Sequence, residues 1–174
     1  MSSQTQTMPP RAAADHADPN GSYHWQTASG ALGSLPPATA PGGGGWTHQL
    51  RLTDFGFSVP TGATVKGVKL ELKRSASQND GDYYVMDAGS VATRVLKGGT
   101  VSPLRPATYS HWATSPEWAT YGGPTDLWGV SLTPADVNDP AFGFAVGCDQ
   151  ESPEGQYGNA KVYEAKVTVY YEAP

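Results

Sequence analysis

The stretch VYEAKVTVYYE, residues 162–172, alternates apolar and polar side chains with the period of a β-strand. Ala165, Val167, Val169 and Tyr171 fall on one parity, and Lys166, Thr168 and Tyr170 on the other. A period of two is the mark of a half-buried strand. Val162 lies on the opposite parity from Val167, so a β-bulge near Glu164 is expected. VKLELK repeats the pattern, with Val68, Leu70 and Leu72 on one face and Lys69, Glu71 and Lys73 on the other. FGFAV does so with Phe142, Phe144 and Val146. Shorter strands are expected in HQLRL (48–52), DYYVMDA (82–88), ATRVLKG (92–98) and LWGVSL (127–132).

Turn chemistry separates these runs. VPTGATV carries Pro60 and Gly62, NDGD at 79–82 suits a tight hairpin, and paired glycines recur at 98–99 and 122–123. The single helix signal is short: Thr133 as N-cap, Pro134 in the first helical position, then ADVN. There is no amphipathic run of helical length and no internal repeat. The chain has no Ile, so Val, Leu and aromatic residues must build the core. Many short strands with Gly/Pro turns and almost no helix imply an all-β protein, an antiparallel β-sandwich of jelly-roll-like form over residues 46–174.

Residues 1–45 read differently. They hold no Val or Phe, and their large apolar side chains are only Met1, Met8, Tyr23, Trp25, Leu32 and Leu35. Such a stretch buries too little to offset a backbone ordering cost of about 1–2 kcal/mol per residue. Pro9-Pro10 and Pro36-Pro37 favour extended geometry, and Gly42 to Gly45 form a swivel. The expectation is an extended N-terminal arm ordered by neighbouring molecules, with Tyr23, Trp25, Leu32 and Leu35 as partner-binding anchors.

Charge narrows the partners. The formal net charge is -5 with only 11 Lys plus Arg, and no basic run is present. Direct binding of nucleic acid or of an anionic membrane is therefore not expected. The N-terminus lacks the apolar core of a secretory signal, and no apolar run is long enough to span a bilayer. The lone Cys148 excludes an intrachain disulfide and reads as a small buried hydrophobe, with acidic neighbours expected to raise its thiol pKa.

Little in the sequence points to catalysis. No G-x-S-x-G elbow, P-loop or G-x-G-x-x-G occurs. Among His16, His24, His48 and His111 no pair has spacing suited to a metal, and no cofactor is expected. Loop carboxylates at Asp80 and Asp82, at Asp136 and Asp139, and at Asp149, Glu151 and Glu154 match no EF-hand spacing. The aromatic residues are denser. Tyr109, Trp112, Trp118, Tyr121 and Trp128 fall within 21 residues. Trp128 reads as core. Trp112 and Trp118 flank a loop and, with Tyr121, are the candidate contact aromatics for a partner or a sugar ring. Asp126 is expected to brace a turn through its carboxylate.

The blocks FGFSVPTGATVKGVKLELKRSAS, ATYGGPTDLWG, LTPADVNDPAFGFAV and AKVYEAKVTVYY resemble a β-sandwich module of tailed-phage and prophage virion structural proteins. The resemblance covers roughly residues 46–172. It implies a non-enzymatic virion component, made in the cytoplasm of a bacterial host. The expected role is capsid decoration or cementing, with the arm threaded over neighbouring subunits. The expected partners are the major capsid protein or tail proteins, together with further copies of the chain as a trimer. The alternative is a carbohydrate- or receptor-binding module on a tail fibre or baseplate.

Overall fold

The computed structural model describes residues 2–78, 84–87, 92–104, 110–151 and 159–174. Its strands, in chain order, are β1 (Ser3–Met8), β2 (Ala12–His16), β3 (Ala38–Ala40), β4 (Gly45–Trp46), β5 (Gln49–Thr53), β6 (Thr64–Ala76), β7 (Tyr84–Asp87), β8 (Arg94–Lys97), β9 (Thr100–Val101), β10 (Ser110–His111), β11 (Glu117–Gly122), β12 (Gly143–Val146), β13 (Asp149–Glu151) and β14 (Ala160–Glu172). One helix, α1 (Pro134–Asn138), and a 3-10 turn at Ala28–Leu32 complete the described elements.

The two long alternating strands form the spine of the first layer. β6 and β14 pair antiparallel, with Val167 opposite Leu70 and Val169 opposite Val68. β1 flanks β14 and β11 flanks β6, giving the order β1-β14-β6-β11, with β3 also on β14. The expected bulge is present between Val162 and Glu164. It resets the parity, so that Val162 and Val167 are both fully buried despite their odd spacing. A second irregularity, between Tyr170 and Tyr171, leaves Lys66 without an opposite residue.

The second layer consists of β2-β5-β12-β8-β9 and β10-β7-β13-β4. Two chain segments run through both sheets, because only Thr47 and His48 separate β4 from β5, and only Gly147 and Cys148 separate β12 from β13. Thr47 spans the break: its N–H donates to the Cys148 carbonyl (3.0 Å) and its hydroxyl accepts from the Cys148 N–H (3.1 Å). Both layers face one core, in which Leu70 and Val167 of the first meet Leu50, Val85 and Phe144 of the second. The antiparallel β-sandwich read from the sequence is the observed architecture.

The arm is where the structure departs from expectation. β1 pairs with β14 along six residues, and β2 pairs with β5 along five. Pro9 and Pro10 lie between β1 and β2, where the chain leaves one layer and joins the other. The first 45 residues thus close one side of the sandwich by adding an edge strand to each layer. Trp25 is 3% exposed, and its indole N–H donates to the His48 carbonyl (2.8 Å). Ala31, Ala38 and Ala40 are fully buried. The Tyr23 ring lies over Gly43, where a Cβ would collide with it, and its hydroxyl reaches the Gly44 carbonyl (3.2 Å). The glycine run is a seat for a ring, not a swivel. Of the four expected anchors, only Leu32 (38%) and Leu35 (83%) remain exposed.

Two further expectations change. LWGVSL is no strand: Trp128 adopts a positive φ of 60°, and its N–H donates to the Asp126 carboxylate (2.8 Å). Asp126 therefore braces a turn as expected, and that turn supplants the strand. Trp128 is still core, with its indole N–H on the Val68 carbonyl (2.9 Å) and its ring edge-on to Phe144 at 5.0 Å. Trp112, expected to be exposed, has 0% exposure. The NDGD turn and Tyr109 lie outside the described residues.

The helix forms as its cap predicts. Asp136 N–H donates to the Thr133 hydroxyl (3.2 Å), and Thr133 N–H donates to the Asp136 carboxylate (2.7 Å). This reciprocal pair is a capping box. The helix also clasps the Val59 turn, since the Asn138 amide exchanges hydrogen bonds with the Val59 backbone at 2.8 and 2.9 Å. Thr133→Ala is expected to cost about 0.5–2 kcal/mol of stability. Urea unfolding of the purified variant reads that loss as a lower midpoint at unchanged slope.

Candidate functional site

Strand parity sorts the aromatic cluster. Trp118 and Tyr121 lie three residues apart on β11, so they point to opposite faces of the sheet. Trp118 faces outward and is 44% exposed. Around it the outer face of β1-β14-β6-β11 carries charge. Glu71 receives Lys69 at 3.1 Å and Lys166 at 3.8 Å. The hydrogen bond to Glu71 holds the Lys69 ammonium above the ordinary lysine range. Lys166 Nζ also lies 4.8 Å above the Trp118 ring, a cation–π contact. Toward the other end of the face, a cleft of about 490 Å³ is lined by Gln4, Thr5, Lys66, Pro124, Tyr170 and Glu172. Lys66 and Glu172 pair across it at 3.6 Å. Gly67 makes room for this end, because a Cβ there would strike the Gly123–Pro124 backbone.

Tyr121 faces inward, toward a buried polar cluster. Arg74 Nη1 donates to both oxygens of Asp87 at 2.8 and 2.9 Å. The Trp112 indole N–H (3.0 Å) and the Tyr121 hydroxyl (3.0 Å) donate to the same carboxylate. The guanidinium lies 4.6 Å from the Trp112 ring centroid and 5.4 Å from that of Tyr121. Burial pushes the Asp87 carboxyl above the ordinary aspartate range, against the pull of Arg74 and the two aromatic donors. Burial, together with the Asp87 charge, also pushes the Tyr121 phenol well up. With three side chains donating to it and burial at 5% exposure, Asp87 is a structural acceptor; it has no free edge for a substrate.

Cys148 is fully buried beside Thr47, as the sequence implies. Its thiol pKa is raised, and the main cause is burial, with Asp87 and Asp149 as lesser contributors. Among the described residues the loop carboxylates form no cluster that could hold an ion. Asp136 is engaged in the capping box and with Lys97 at 3.2 Å, while Asp80, Asp82 and Glu154 lie outside the described residues.

Two of the histidines meet although no spacing in the sequence pairs them. His24 and His48 are 24 positions apart, yet their ring centroids lie 4.1 Å apart. Asp15 Oδ2 lies 2.9 Å from His48 Nδ1 and 3.4 Å from His24 Nδ1. Burial acts to raise the Asp15 pKa, but the hydrogen bonds from Trp25 N–H and His48 outweigh it and hold the carboxyl below its usual value. No local spacing announces this trio, because each member comes from a different segment.

No helix among the described residues is long and apolar enough to cross a membrane. The chain matches no family model and no curated protein. Among solved structures it is similar to a chain described as "CBM4 structure and function", at 11% identity and a TM-score of 0.35, with 97% of this chain and 92% of that one covered. It is also similar to a cyclase from Fischerella sp. TAU, at 10% identity and a TM-score of 0.38, with 95% of this chain and 98% of that one covered.

Proposed function

We propose that this chain is a non-catalytic structural protein of a tailed-phage virion. It decorates or cements the capsid by docking its folded surface on other virion proteins. The observation that carries this reading is the outer face of β1-β14-β6-β11, where exposed Trp118 stands among paired lysines and glutamates. A rigid aromatic ring with a charged surround is the composition of a protein contact patch. The resemblance to virion sandwich modules supports the same reading, since its blocks do structural work here: Asp126 and Trp128 set a turn, and Thr133 to Asn138 clasp Val59. Exposed Leu35 offers a second contact. Threading of a free arm is not part of this proposal, because those residues are spent inside the sandwich. Symmetric self-association, as a trimer, belongs to it and is read by sedimentation.

Particles assembled without the protein provide the test. The added wild-type chain is expected to bind them saturably. Trp118→Ala is expected to weaken binding by about tenfold or more, as a central aromatic contact does, while its thermal midpoint stays near that of wild type. Equal binding by the two would overturn the proposed face. Recognition of a carbohydrate is the second reading, favoured by the Trp118 ring and the cleft beside Tyr170. Saturable binding of oligosaccharides by wild type, lost in Trp118→Ala, with no binding to particles, would select it.

A further inference from the structure

We propose that Asp15, His24 and His48 form a binding site for a divalent transition cation of the Zn²⁺ class, with one coordination position left open. One atom from each of the three residues lies within 4.8 Å of the other two. Tetrahedral coordination with bonds of about 2.0–2.1 Å places donor atoms roughly 3.3–3.4 Å apart. The separations of Asp15 Oδ2 from the two Nδ1 atoms are 2.9 and 3.4 Å, which bracket that edge. Two neutral imidazoles and one carboxylate are a donor set suited to such an ion.

The fold holds these residues in place by backbone contacts. His48 and Leu50 share a parity, and Asp15 stands opposite Leu50 on β2, so the two ligands meet at the rim of one sheet. Tyr23 bridges Thr47 in parallel, and His48 N–H donates to the Tyr23 carbonyl at 2.7 Å, which sets His24 beside His48. Asp15 Oδ1 accepts from the Trp25 N–H at 2.8 Å. That bond orients the carboxylate and leaves Oδ2 for the cation, the kind of outer support that metal ligands need. Asp18 adds a second negative charge that acts on His48, tempered by Arg94 at 3.3 Å from its Oδ2. The His24 side chain is 73% exposed and that of His48 11%. One ligand is therefore held inside the fold and the other stands at the surface, where water would fill the open position.

The test uses the full chain, stripped with a chelator and titrated with ZnCl₂ by calorimetry, with Co²⁺ as a spectroscopic substitute. One ion per chain is expected, with a thermal midpoint that rises with metal concentration. Binding should weaken in acid, because metal ligands must be deprotonated to coordinate. His24→Ala removes an exposed side chain and leaves the fold intact; it is expected to lower affinity by on the order of tenfold or more. Asp15→Asn, which keeps an oxygen for the Trp25 N–H, should do the same. His16→Ala is the control, since His16 has the opposite parity on β2 and its Nδ1 contacts the Ala17 carbonyl. Absence of saturable binding in wild type, or binding unchanged in His24→Ala, overturns the proposal. Loss of binding in His16→Ala but not in His24→Ala overturns it as well.

Discussion

A chain lacking residues 1–45 is expected to be unfolded, not a free-standing sandwich. The deletion strips an edge strand from each layer and uncovers β14 and β5 along their length. It also removes Trp25 from the core, together with Ala31, Ala38 and Ala40. Truncating a buried Trp alone costs about 3–5 kcal/mol. Domains of this kind are stable by only about 5–15 kcal/mol. Exposed strand edges should then drive aggregation. The finer variant Trp25→Ala tests the same point in a full-length chain, where a loss of about 3–5 kcal/mol is expected in urea. A truncated chain that keeps a cooperative transition at the wild-type midpoint would show that residues 46–174 fold without their N-terminal strands.

Asp87→Ala is expected to produce the largest loss from a single polar site. It leaves Arg74, itself 3% exposed, as a buried unpaired cation. Breaking one partner of such a pair costs about 3–5 kcal/mol. For a chain of this size that is a fall of roughly 6–20 °C in thermal midpoint. The double variant Arg74→Met with Asp87→Ala removes the stranded charge and should recover part of the loss. Recovery should be incomplete, because the Trp112 and Tyr121 donors still lack their acceptor, each at a cost of about 1–3 kcal/mol. A double variant less stable than Asp87→Ala would mean that the guanidinium acts chiefly through its contacts with the Trp112 and Tyr121 rings.

These two results concern features that differ in how openly the sequence shows them. Arg74 sits where VKLELKR continues the inward parity of Leu70 and Leu72, so a charged residue falls on a core face. That position is a visible signal of an internal partner. Its partner, Asp87, lies 13 residues on and in another sheet, and no spacing rule connects the two. Trp112 borders the ATSPE loop, a position that by local sequence favours exposure. Its indole instead turns inward to Asp87, a choice made by the carboxylate and not by its neighbours in sequence. The same holds for Asp15, His24 and His48, which meet only because three segments align at one rim.

The elements whose side chains carry the pattern are legible from local sequence. β6, β12 and β14, the bulge at Glu164, the Thr133 cap and the burial of Trp128 and Cys148 all follow from parity, turn chemistry and capping, which act over a few residues. The remaining elements depend on contacts between distant segments. β1 and β2 are edge strands of mostly polar and small residues. They are held by hydrogen bonds to the backbones of β14 and β5, and a backbone partner leaves no periodic trace in the strand that borrows it. The N-terminal segment has a shape because a finished sheet edge lies ready to receive it.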